Sequence, residues 1–321
     1  MNPLTAIYAA GVSLRNRMYD GGRLRSFRLP SPVVSIGSIS AGGAGKTPFL
    51  IMLGELLMER GVTLNVLSRG YGRRRSGVAL VDPSGTPEEF GDEPLLIARK
   101  LGVPVIVGED RYAAGKVAEE EFGNQLHLLD DGFQHRRLGR DFDIALITEP
   151  ELKDSLLPAG RLREPMSSLA RASAIVMIDG VESDRIPVRA GQFRWRVSRG
   201  IVAPNTSAAC LAFCAIARPR NFFAELAQSG LKIVGTREFP DHHGYRAKDV
   251  ESLFKQAHEL GATAFVTTEK DAVNLGERAG ILEPLHIVPV RMRFEPTADG
   301  ESPIDQLCAV IQQGKESHVR K

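Results

Sequence analysis

A glycine-rich loop lies between an apolar run and a helix-forming segment in the first third of the chain. Its glycines let successive backbone N–H groups point inward, and the start of the next helix adds its positive end, so the loop suits an anion. Lys46 is then expected to contact the β- and γ-phosphates of a nucleoside triphosphate, and Thr47 to contact a magnesium ion. The loop consists of Ser40, Ala41, Gly42, Gly43, Ala44, Gly45, Lys46 and Thr47.

The first position of this loop departs from the strict P-loop pattern G-x-x-x-x-G-K-[ST], because Ser40 stands where the pattern has glycine. The other glycines, the lysine and the threonine hydroxyl are in place, and the order of strand, turn and helix is the required one. We therefore predict a nucleotide-binding loop. The alternative is a glycine-rich turn with only a structural role.

A second chemical element is the apolar run 126–129, which ends in Asp130 and Asp131. An apolar strand that ends in two carboxylates has the form of a Walker B strand, and beside the phosphate loop it would bring one carboxylate to the metal. Paired acids at a strand end also occur as helix caps or turn formers. The sequence leaves open which of the two acids would bind the metal.

Further loops that follow predicted strands also carry ionisable side chains. In an open parallel sheet such loops converge over the carboxyl ends of the strands, where ligands bind. We therefore expect them to face one cleft. These loops are 68–72, 91–94, 132–137 and 158–165.

Two loops in the second half of the chain each allow a functional and a structural interpretation. The segment 239–245 contains the adjacent histidines His242 and His243. One of them could orient or tune a carboxylate base across a cleft, or the segment could be a polar loop that caps the next helix. The segment 267–271 resembles a guanine-binding N-K-x-D loop but lacks its asparagine, and we interpret it as the start of a helix.

The elements that must position these residues alternate between short apolar strands and helices. This pattern predicts an α/β fold with a P-loop NTPase-type parallel sheet domain and a second, smaller α/β domain. Around 192–202 the pattern changes to strand-like alternation, which predicts a β-ribbon linker between the two domains. The predicted parts are an N-terminal amphipathic helix with a basic segment (1–28), the P-loop domain (29–185), the linker (186–204) and the second domain that closes over the site (205–321).

Composition limits the class of protein further. Hydrophobic residues make up 43% and charged residues 25% of the 321 residues, which excludes a disordered chain and a membrane-embedded one. The formal net charge of +2 gives no reason to expect nucleic acid as a partner. The 3 cysteines form no CxxC pair and no disulfide framework, which favours a reducing compartment.

The N-terminal segment has a pattern of its own. No apolar stretch reaches the roughly 20 residues that span a bilayer, but apolar side chains can share one helix face while nearby arginines meet lipid head groups. The alternative is a helix that packs on the protein and has a solvated basic end. The apolar residues concerned are Leu4, Ile7, Tyr8, Leu14 and Met18.

Taken in order, these motifs resemble the bacterial tetraacyldisaccharide 4′-kinase family, which phosphorylates the lipid A precursor at the membrane surface. The segments that carry the resemblance extend over most of the chain: GGAGKTP, LSRGYG, GDEP, LDDGFQHRRLGRD, LPAGRLREP, FPDHHGY and TTEKDAV. The family usually has a small hydroxyl residue at the position of Ser40. The resemblance implies ATP and Mg²⁺, with lipid A disaccharide 1-phosphate as the acceptor. It also implies peripheral association with the cytoplasmic face of the bacterial inner membrane.

The resemblance also implies roles for individual residues. Asp92 would take the proton of the sugar hydroxyl, supported by a histidine of the Asp-His loop, for which we favour His242 with His243 as the substitute. These residues come from different predicted domains, so closure would assemble the site and exclude water. The implied metal and phosphate-site residues are Thr47, Glu93, Asp130, Asp131 and Gln134. Those implied to position nucleotide phosphates or the sugar are Arg69, Tyr71, His135, Arg163 and Glu164.

Two other classes of protein share part of this pattern. A P-loop GTPase or ATPase switch of the metallochaperone or partitioning type is disfavoured, because Ala41 stands where partitioning-type loops have lysine and no N-K-x-D motif is present. A membrane-surface binding module with a degenerate P-loop is also disfavoured, because Lys46, Thr47 and the strand-end acids are retained.

Overall fold

The structure is a computed structural model and describes residues 3–187, 189–296 and 300–319. Its strands are β1 (Val33–Ser38), β2 (Leu64–Ser68), β3 (Ala79–Leu80), β4 (Val105–Val107), β5 (Leu126–Asp130), β6 (Phe142–Ile147), β7 (Ala174–Ile178), β8 (Phe193–Ile201), β9 (Cys210–Cys214), β10 (Ile233–Glu238), β11 (Ala264–Thr268), β12 (Leu285–Val288) and β13 (Val290–Phe294).

The helices alternate with these strands over most of the chain, as the apolar pattern predicts. They are α1 (Pro3–Asp20), α2 (Lys46–Glu59), α3 (Pro87–Phe90), α4 (Asp92–Leu101), α5 (Arg111–Phe122), α6 (Pro219–Gln228), α7 (Ala247–Leu260), α8 (Glu269–Leu275) and α9 (Pro303–Val319).

A large sheet places the phosphate loop at its centre. Its strand order is β13-β8-β7-β6-β1-β5-β2-β4-β3, and β1 is parallel to both of its neighbours. Strands β1, β2, β5, β6 and β7 are buried along their whole length, because helices cover both faces of the sheet. The Walker B strand β5 is thus directly beside the P-loop strand, as predicted.

A second, smaller sheet of parallel strands has the order β10-β9-β11-β12 and its own hydrophobic core. Phe213, Leu253 and Phe265 are among the buried residues between this sheet and its helices. We call residues 205–288 the small unit and the rest of the described chain the large unit. An α/β fold with a large parallel-dominated sheet and a smaller second sheet is therefore confirmed.

The connection between the two units differs from the predicted linker. Strand β8 falls within the segment expected to be a β-ribbon and does form an antiparallel ribbon with β13. However, β8 also pairs in parallel with β7, so the ribbon is the edge of the large sheet. The chain enters the small unit from this edge, between β8 and β9, and returns to the same edge between β12 and β13.

The predicted second domain, 205–321, includes too much of the chain. After β12 the chain returns to the large unit, where Met292, Ile304 and Leu307 pack into the same core as the P-loop helix. Alternation and helical spacing predicted the type of these elements but contain no information about which sheet they join. Long-range packing decides that choice.

Helix α1 packs on the large unit through one face. Thr5 is buried, the Tyr8 hydroxyl donates a hydrogen bond to the Arg163 carbonyl at 3.0 Å, and Asn16 Nδ2 donates to Glu164 Oε2 at 2.7 Å. Tyr8 therefore belongs to the packed face and not to the exposed apolar face on which the sequence placed it. Its hydroxyl needs a hydrogen-bond partner, and the loop at Arg163 provides one.

The opposite face of α1 is apolar and exposed. Leu4, Ile7 and Leu14 retain 60%, 70% and 59% of their accessible surface. Every helix among the described residues is too short or too polar to span a lipid bilayer. Both sequence-based interpretations of α1 thus contain a correct part: the helix packs on the protein and also presents an apolar stripe to solvent.

Candidate active site

The phosphate loop has the local geometry that the sequence predicts. It follows β1, and α2 begins at Lys46. Gly42, Gly43 and Gly45 have φ values of +71°, +77° and +75°, a region that L side chains rarely adopt. The glycines therefore allow a backbone turn whose N–H groups, together with the start of α2, can bind an anion.

Ser40, the residue that departs from the strict pattern, is buried and hydrogen bonded. Its hydroxyl donates to Glu151 Oε1 at 2.8 Å. The next residue, Ala41, donates its backbone N–H to the Arg161 carbonyl at 2.8 Å. The first part of the loop is thus fixed by two segments that follow β6.

The two strand-end carboxylates lie beside the phosphate loop but have different partners. Asp130 accepts a hydrogen bond from the Ser68 hydroxyl at 2.7 Å. Asp131 has a φ of +47° and forms ion pairs with Lys46 Nζ at 3.4 Å and with Arg163 Nη1 at 2.8 Å. The unusual backbone conformation of Asp131 directs its carboxylate to the lysine of the phosphate loop.

The environments of these carboxylates shift their pKa values in opposite directions. Burial, together with the nearby charges of Glu93 and Asp131, raises the pKa of Asp130 to about 7. Its Oδ1 is buried and has no hydrogen-bond partner among the described residues. Burial also opposes ionisation of Asp131, but Lys46 and Arg163 outweigh it and lower the pKa of that carboxyl. Asp130 thus retains an oxygen atom with unused bonding capacity.

A carboxylate–histidine pair connects the two units across the cleft. Asp92 is the first residue of α4 and is buried, while His242 lies in the small unit with a φ of +60°. His242 Nδ1 lies 2.9 Å from Asp92 Oδ2 and 3.1 Å from Oδ1, so the imidazole donates to the carboxylate. Burial raises the pKa of Asp92, but the bond from His242 and the charge of Lys270 outweigh it and bring it to about 2.

Two residues of α8, Lys270 and Asn274, contact the Asp92–His242 pair. We predicted neither of them as a site residue. Lys270 Nζ lies 3.2 Å from Glu93 Oε1 and 3.2 Å from His242 Nε2, and Asn274 Nδ2 donates to Asp92 Oδ2 at 3.1 Å. Burial disfavours the charged form of Lys270, but Glu93 and Asp92 outweigh it and raise its pKa. We interpreted this segment correctly as a helix start, and the position of Lys270 just after strand β11 was the signal that could have identified it.

The second histidine of the loop has a different environment. His243 Nε2 lies 3.0 Å from Asp249 Oδ2, and its ring stacks on Phe239 with a centroid distance of 5.0 Å. Asp249 also accepts a hydrogen bond from the backbone N–H of Arg246 at the start of α7. His242 is therefore the histidine that contacts Asp92, while His243 belongs to the capping region of a helix.

Several predicted positioning residues form a group beneath α1. Glu164 is buried and accepts hydrogen bonds from Arg171, Asn16 and Gln134. The Gln134 amide donates to the Ser38 carbonyl at 3.0 Å, and its oxygen accepts from Arg163 at 3.4 Å. The amide oxygen that we predicted as a metal ligand thus already has a protein partner.

The remaining predicted residues lie around the cleft. The Tyr71 ring is 5.0 Å from the His242 ring, between centroids, and is largely exposed, and Arg69 is also exposed.

His135 has a buried Nε2 without a hydrogen-bond partner among the described residues, and burial with the charge of Arg111 lowers its pKa to about 4. Glu93 pairs with Lys270, so its carboxylate is shared with a cation of the small unit.

The phosphate loop and His242, the partner of Asp92, border one cavity of about 200 Å³ between the two units. The large unit contributes the loop, the start of α2, one side of α4 and the adjoining ends of β8 and β13, and the small unit contributes the segments after β9, β10 and β11. The lining residues include 42–48, Glu93, Leu96 and Lys100 from the large unit and Ile216, Ala217, Arg218, Asp241, His242 and Lys270 from the small unit.

A parallel sheet with β1, a glycine loop and α2 at its centre, and acids at the end of the adjacent strand, defines the P-loop class of nucleotide-binding proteins. Within that class, the chain belongs to the tetraacyldisaccharide-1-P 4′-kinase family, whose sequence profile matches residues 1–309.

Comparisons with individual proteins agree with this assignment. The chain is 46% identical to a tetraacyldisaccharide 4′-kinase of Koribacter versatilis, over 98% of this chain and 99% of that protein. It is 37% identical to a protein of the same name from Syntrophus aciditrophicus, over 90% and 87% of the two chains. The crystal structure of LpxK from Aquifex aeolicus in complex with ATP is similar, with a TM-score of 0.76, 30% identity and 97% of each chain covered.

Proposed function

We propose that this chain transfers the γ-phosphate of ATP to the 4′-hydroxyl of tetraacyldisaccharide 1-phosphate, a lipid A precursor. The observation that carries the proposal is the Asp92–His242 pair, whose histidine lines the same cavity as the phosphate loop. A carboxylate that can accept the acceptor's proton beside a γ-phosphate site is what a kinase requires and a nucleotide switch does not. The names of the relatives and the ATP complex of the similar structure support the same proposal.

The residues beside the phosphate loop fit a magnesium ion that is bound together with ATP. Among the described residues, nothing bonds to the buried Oδ1 of Asp130, and hard oxygen ligands of this kind suit Mg²⁺. The described residues include no group of three or more acidic, histidine or cysteine side chains that could hold a metal without help. Mg²⁺ usually binds through one or two carboxylates and substrate phosphates, so Thr47, Asp130 and Asp131 would hold it with the nucleotide.

The protein's own groups would act by alignment and charge neutralisation. Magnesium, when bound, would neutralise charge on the phosphates. Lys46 would contact the β- and γ-phosphates from the start of α2. Asp92 would accept the proton of the sugar hydroxyl, and His242, which donates to that carboxylate, would hold it in place. The low pKa of Asp92 suits a base that takes its proton late in the reaction.

The acceptor would bind where the large unit presents cations and aromatic groups next to this pair. Tyr71 lies against the His242 ring and is exposed, and Arg69 belongs to the same loop. Arg163 pairs with Asp131, and its backbone carbonyl accepts from Tyr8 of α1, while His135 follows Gln134, whose carbonyl accepts from Arg15 of the same helix. We propose that these residues position the phosphorylated sugar, while Glu164 fixes the loop that carries Arg163.

Association with the membrane would follow from the position of α1. The acyl chains of the acceptor remain in the lipid, so the site must work at its surface. Leu4, Ile7 and Leu14 form an exposed apolar stripe on a helix whose other face contacts the loop of Arg163 and Glu164. We propose peripheral binding to the cytoplasmic face of the bacterial inner membrane through this stripe, with nearby arginines at the head groups.

The direct test supplies the purified chain with ATP, magnesium and a detergent-dispersed lipid A disaccharide 1-phosphate. Radiolabelled γ-phosphate should appear on the distal sugar, at the 4′ position. A switch-type GTPase or ATPase would hydrolyse nucleotide without forming labelled lipid. That outcome, with hydrolysis indifferent to the lipid, would reject the kinase proposal.

A further inference from the structure

Glu151 is a buried carboxylate that joins three parts of the chain. It lies in a 3₁₀ turn, Glu149–Lys153, and is 1% exposed. Its Oε2 accepts from the backbone N–H of Thr148 at 2.7 Å and also from the hydroxyl of that residue. Its Oε1 accepts from the Ser40 hydroxyl at 2.8 Å and from Arg218 Nη2 at 2.6 Å. The carboxylate thus connects the phosphate loop to the small unit.

Arg218, the partner from the small unit, lies directly against the phosphate loop. Its Nη1 donates to the Thr148 hydroxyl at 2.9 Å. A Cβ atom added to Gly43 would lie 2.7 Å from Arg218 Nε, and one added to Gly42 would lie 3.2 Å from the Cβ of Ala217. The glycines of the loop are therefore required for close contact with the small unit as well as for their backbone conformation.

The charge of Glu151 makes this contact sensitive to the relative position of the two units. In the described part of the chain, the cation that pairs with this carboxylate is Arg218. If the small unit moved away, Glu151 would keep its hydrogen bonds from Ser40 and Thr148 but lose its counter-charge. A buried carboxylate without a cation is strongly disfavoured, so separation of the units disturbs the group that holds the first residue of the loop.

We propose that Ser40, Glu151 and Arg218 form a latch through which closure of the small unit fixes the conformation of the phosphate loop. Arg218 is then a positioning residue for the nucleotide phosphates, and the hydroxyl of Ser40 has a role that glycine at this position cannot fill. The inference rests on the proposed assignment of loop 40–47 to the phosphates. Loss of the latch weakens ATP binding and leaves binding of the lipid acceptor unchanged.

The test measures steady-state kinetics with ATP and the lipid varied separately, together with equilibrium binding of MgATP to the full chain. Arg218→Gln and Ser40→Ala should each raise KM for ATP about 10-fold, while KM for the lipid stays within about twofold. Ser40→Thr keeps the hydroxyl donor and should raise KM for ATP less than Ser40→Ala does. The double variant should show less than the product of the single effects, since both act through Glu151.

The control variant is Glu149→Gln, which removes a carboxylate two positions away that pairs with Arg185 on the surface. It should leave both KM values unchanged. A lower melting temperature for Arg218→Gln and Ser40→Ala with an unchanged KM for ATP would overturn the latch and leave a purely structural contact. Equal rises of KM for ATP and for the lipid would also overturn it.

Lys46→Ala separates failure of the latch from failure of the underlying assignment. Undiminished MgATP binding in Lys46→Ala would overturn the assignment of the loop to the phosphates, and the latch with it. Weakened binding in Lys46→Ala, with normal binding in Arg218→Gln and Ser40→Ala, would overturn the latch alone. Weakened binding in all three variants, with an unaffected Glu149→Gln, is the result expected.

Discussion

His242 Nδ1 lies 2.9 Å from Asp92 Oδ2, although the two residues are 150 positions apart and belong to different units. Asp92 starts helix α4 of the large unit, and His242 adopts a left-handed backbone conformation in a loop of the small unit. A non-glycine residue in that conformation costs free energy that the surrounding structure must supply, and such residues are concentrated at functional sites. The pair exists only while the two units are together, so the proposed base and its support meet only in the closed arrangement.

Replacement of the carboxylate tests its role as the base. Asp92→Asn keeps the size of the side chain but removes its ability to accept a proton, so turnover should fall by about 10²- to 10⁴-fold. Equilibrium binding of MgATP should change little, because the phosphate loop is retained. Radiolabel transfer to the lipid and calorimetric titration of ATP measure the two quantities. Near-normal turnover would exclude Asp92 as the base.

The pH dependence of stability tests the ionisation of the supporting histidine. Burial and the charge of Lys270 disfavour protonation of His242, but the hydrogen bond to Asp92 and the charges of Asp92 and Glu93 outweigh them and raise the pKa above its usual 6.5. A raised folded-state pKa means that protonation favours the folded chain. The stabilisation is complete below the unfolded pKa and is lost as the pH rises through the folded pKa.

The variant His242→Gln should therefore lose more stability, relative to the unmodified chain, at about pH 5.5 than at about pH 9. Denaturant unfolding at the two pH values measures the difference. His243→Gln is the matched control, since its imidazole pairs with Asp249 outside the Asp92 contact, and its turnover should stay close to normal. Equal losses at both pH values for His242→Gln would contradict the assigned ionisation.

Lys270 should be important for both stability and turnover, because it is shared by three carboxylates. Its Nζ lies 3.2 Å from Glu93, 3.5 Å from Asp241 and 3.7 Å from Asp92. Lys270→Met leaves these charges without their common cation and should cost about 3 kcal/mol of unfolding free energy. Lys270 also lowers the pKa of Asp92, so that pKa should rise in the variant. The fall of turnover at acidic pH should therefore begin at a higher pH than in the unmodified chain.

The control for this change is Lys100→Met, which removes a more exposed lysine that pairs with Glu269, next to Lys270 in sequence. Its effect on the unfolding free energy should stay below about 1 kcal/mol. Chemical denaturation compares the two variants directly. Similar losses in both would mean that the position of Lys270 between the carboxylates has no special importance.

The sequence predicted those parts of the site that depend on local order along the chain. The strand and helix patterns predicted the glycine loop and the two acids at the end of β5, and β5 lies beside β1 as expected. The contacts of Lys270 and Asn274 depend instead on how α8 approaches α4, which no periodicity specifies. The return of β13 to the large sheet was missed for the same reason.

The roles of adjacent residues show the same limit. From the sequence we favoured His242 and kept His243 as the substitute, and the structure separates the two: His242 has a φ of +60° and contacts Asp92, while His243 contacts Asp249. The family resemblance implied Gln134 as a metal and phosphate-site residue. Its amide bonds instead to the Ser38 carbonyl and Glu164, a choice fixed by the loop that passes beneath α1.

The apolar stripe on α1 should determine membrane binding without supporting the fold. Leu4, Ile7 and Leu14 are 60%, 70% and 59% exposed, so serine at all three positions removes little packing inside the protein. Each apolar side chain that enters lipid contributes about 1.5–3 kcal/mol when fully buried, so vesicle binding by the triple variant should fall more than about 10-fold. Sedimentation with anionic vesicles measures the bound fraction, and turnover on a short-chain acceptor in solution should be retained.

A matched triple serine variant of the small unit provides the comparison, since Leu260, Ile281 and Ile287 are also exposed, at 43%, 58% and 47%. These positions lie on other elements and should leave vesicle binding unchanged. If the α1 variant sedimented with vesicles as well as the control did, the stripe would not be the membrane contact. If it lost turnover on the short-chain acceptor to the same extent as on vesicles, α1 would act through its contacts with Arg163 and Glu164, because that effect does not require a membrane.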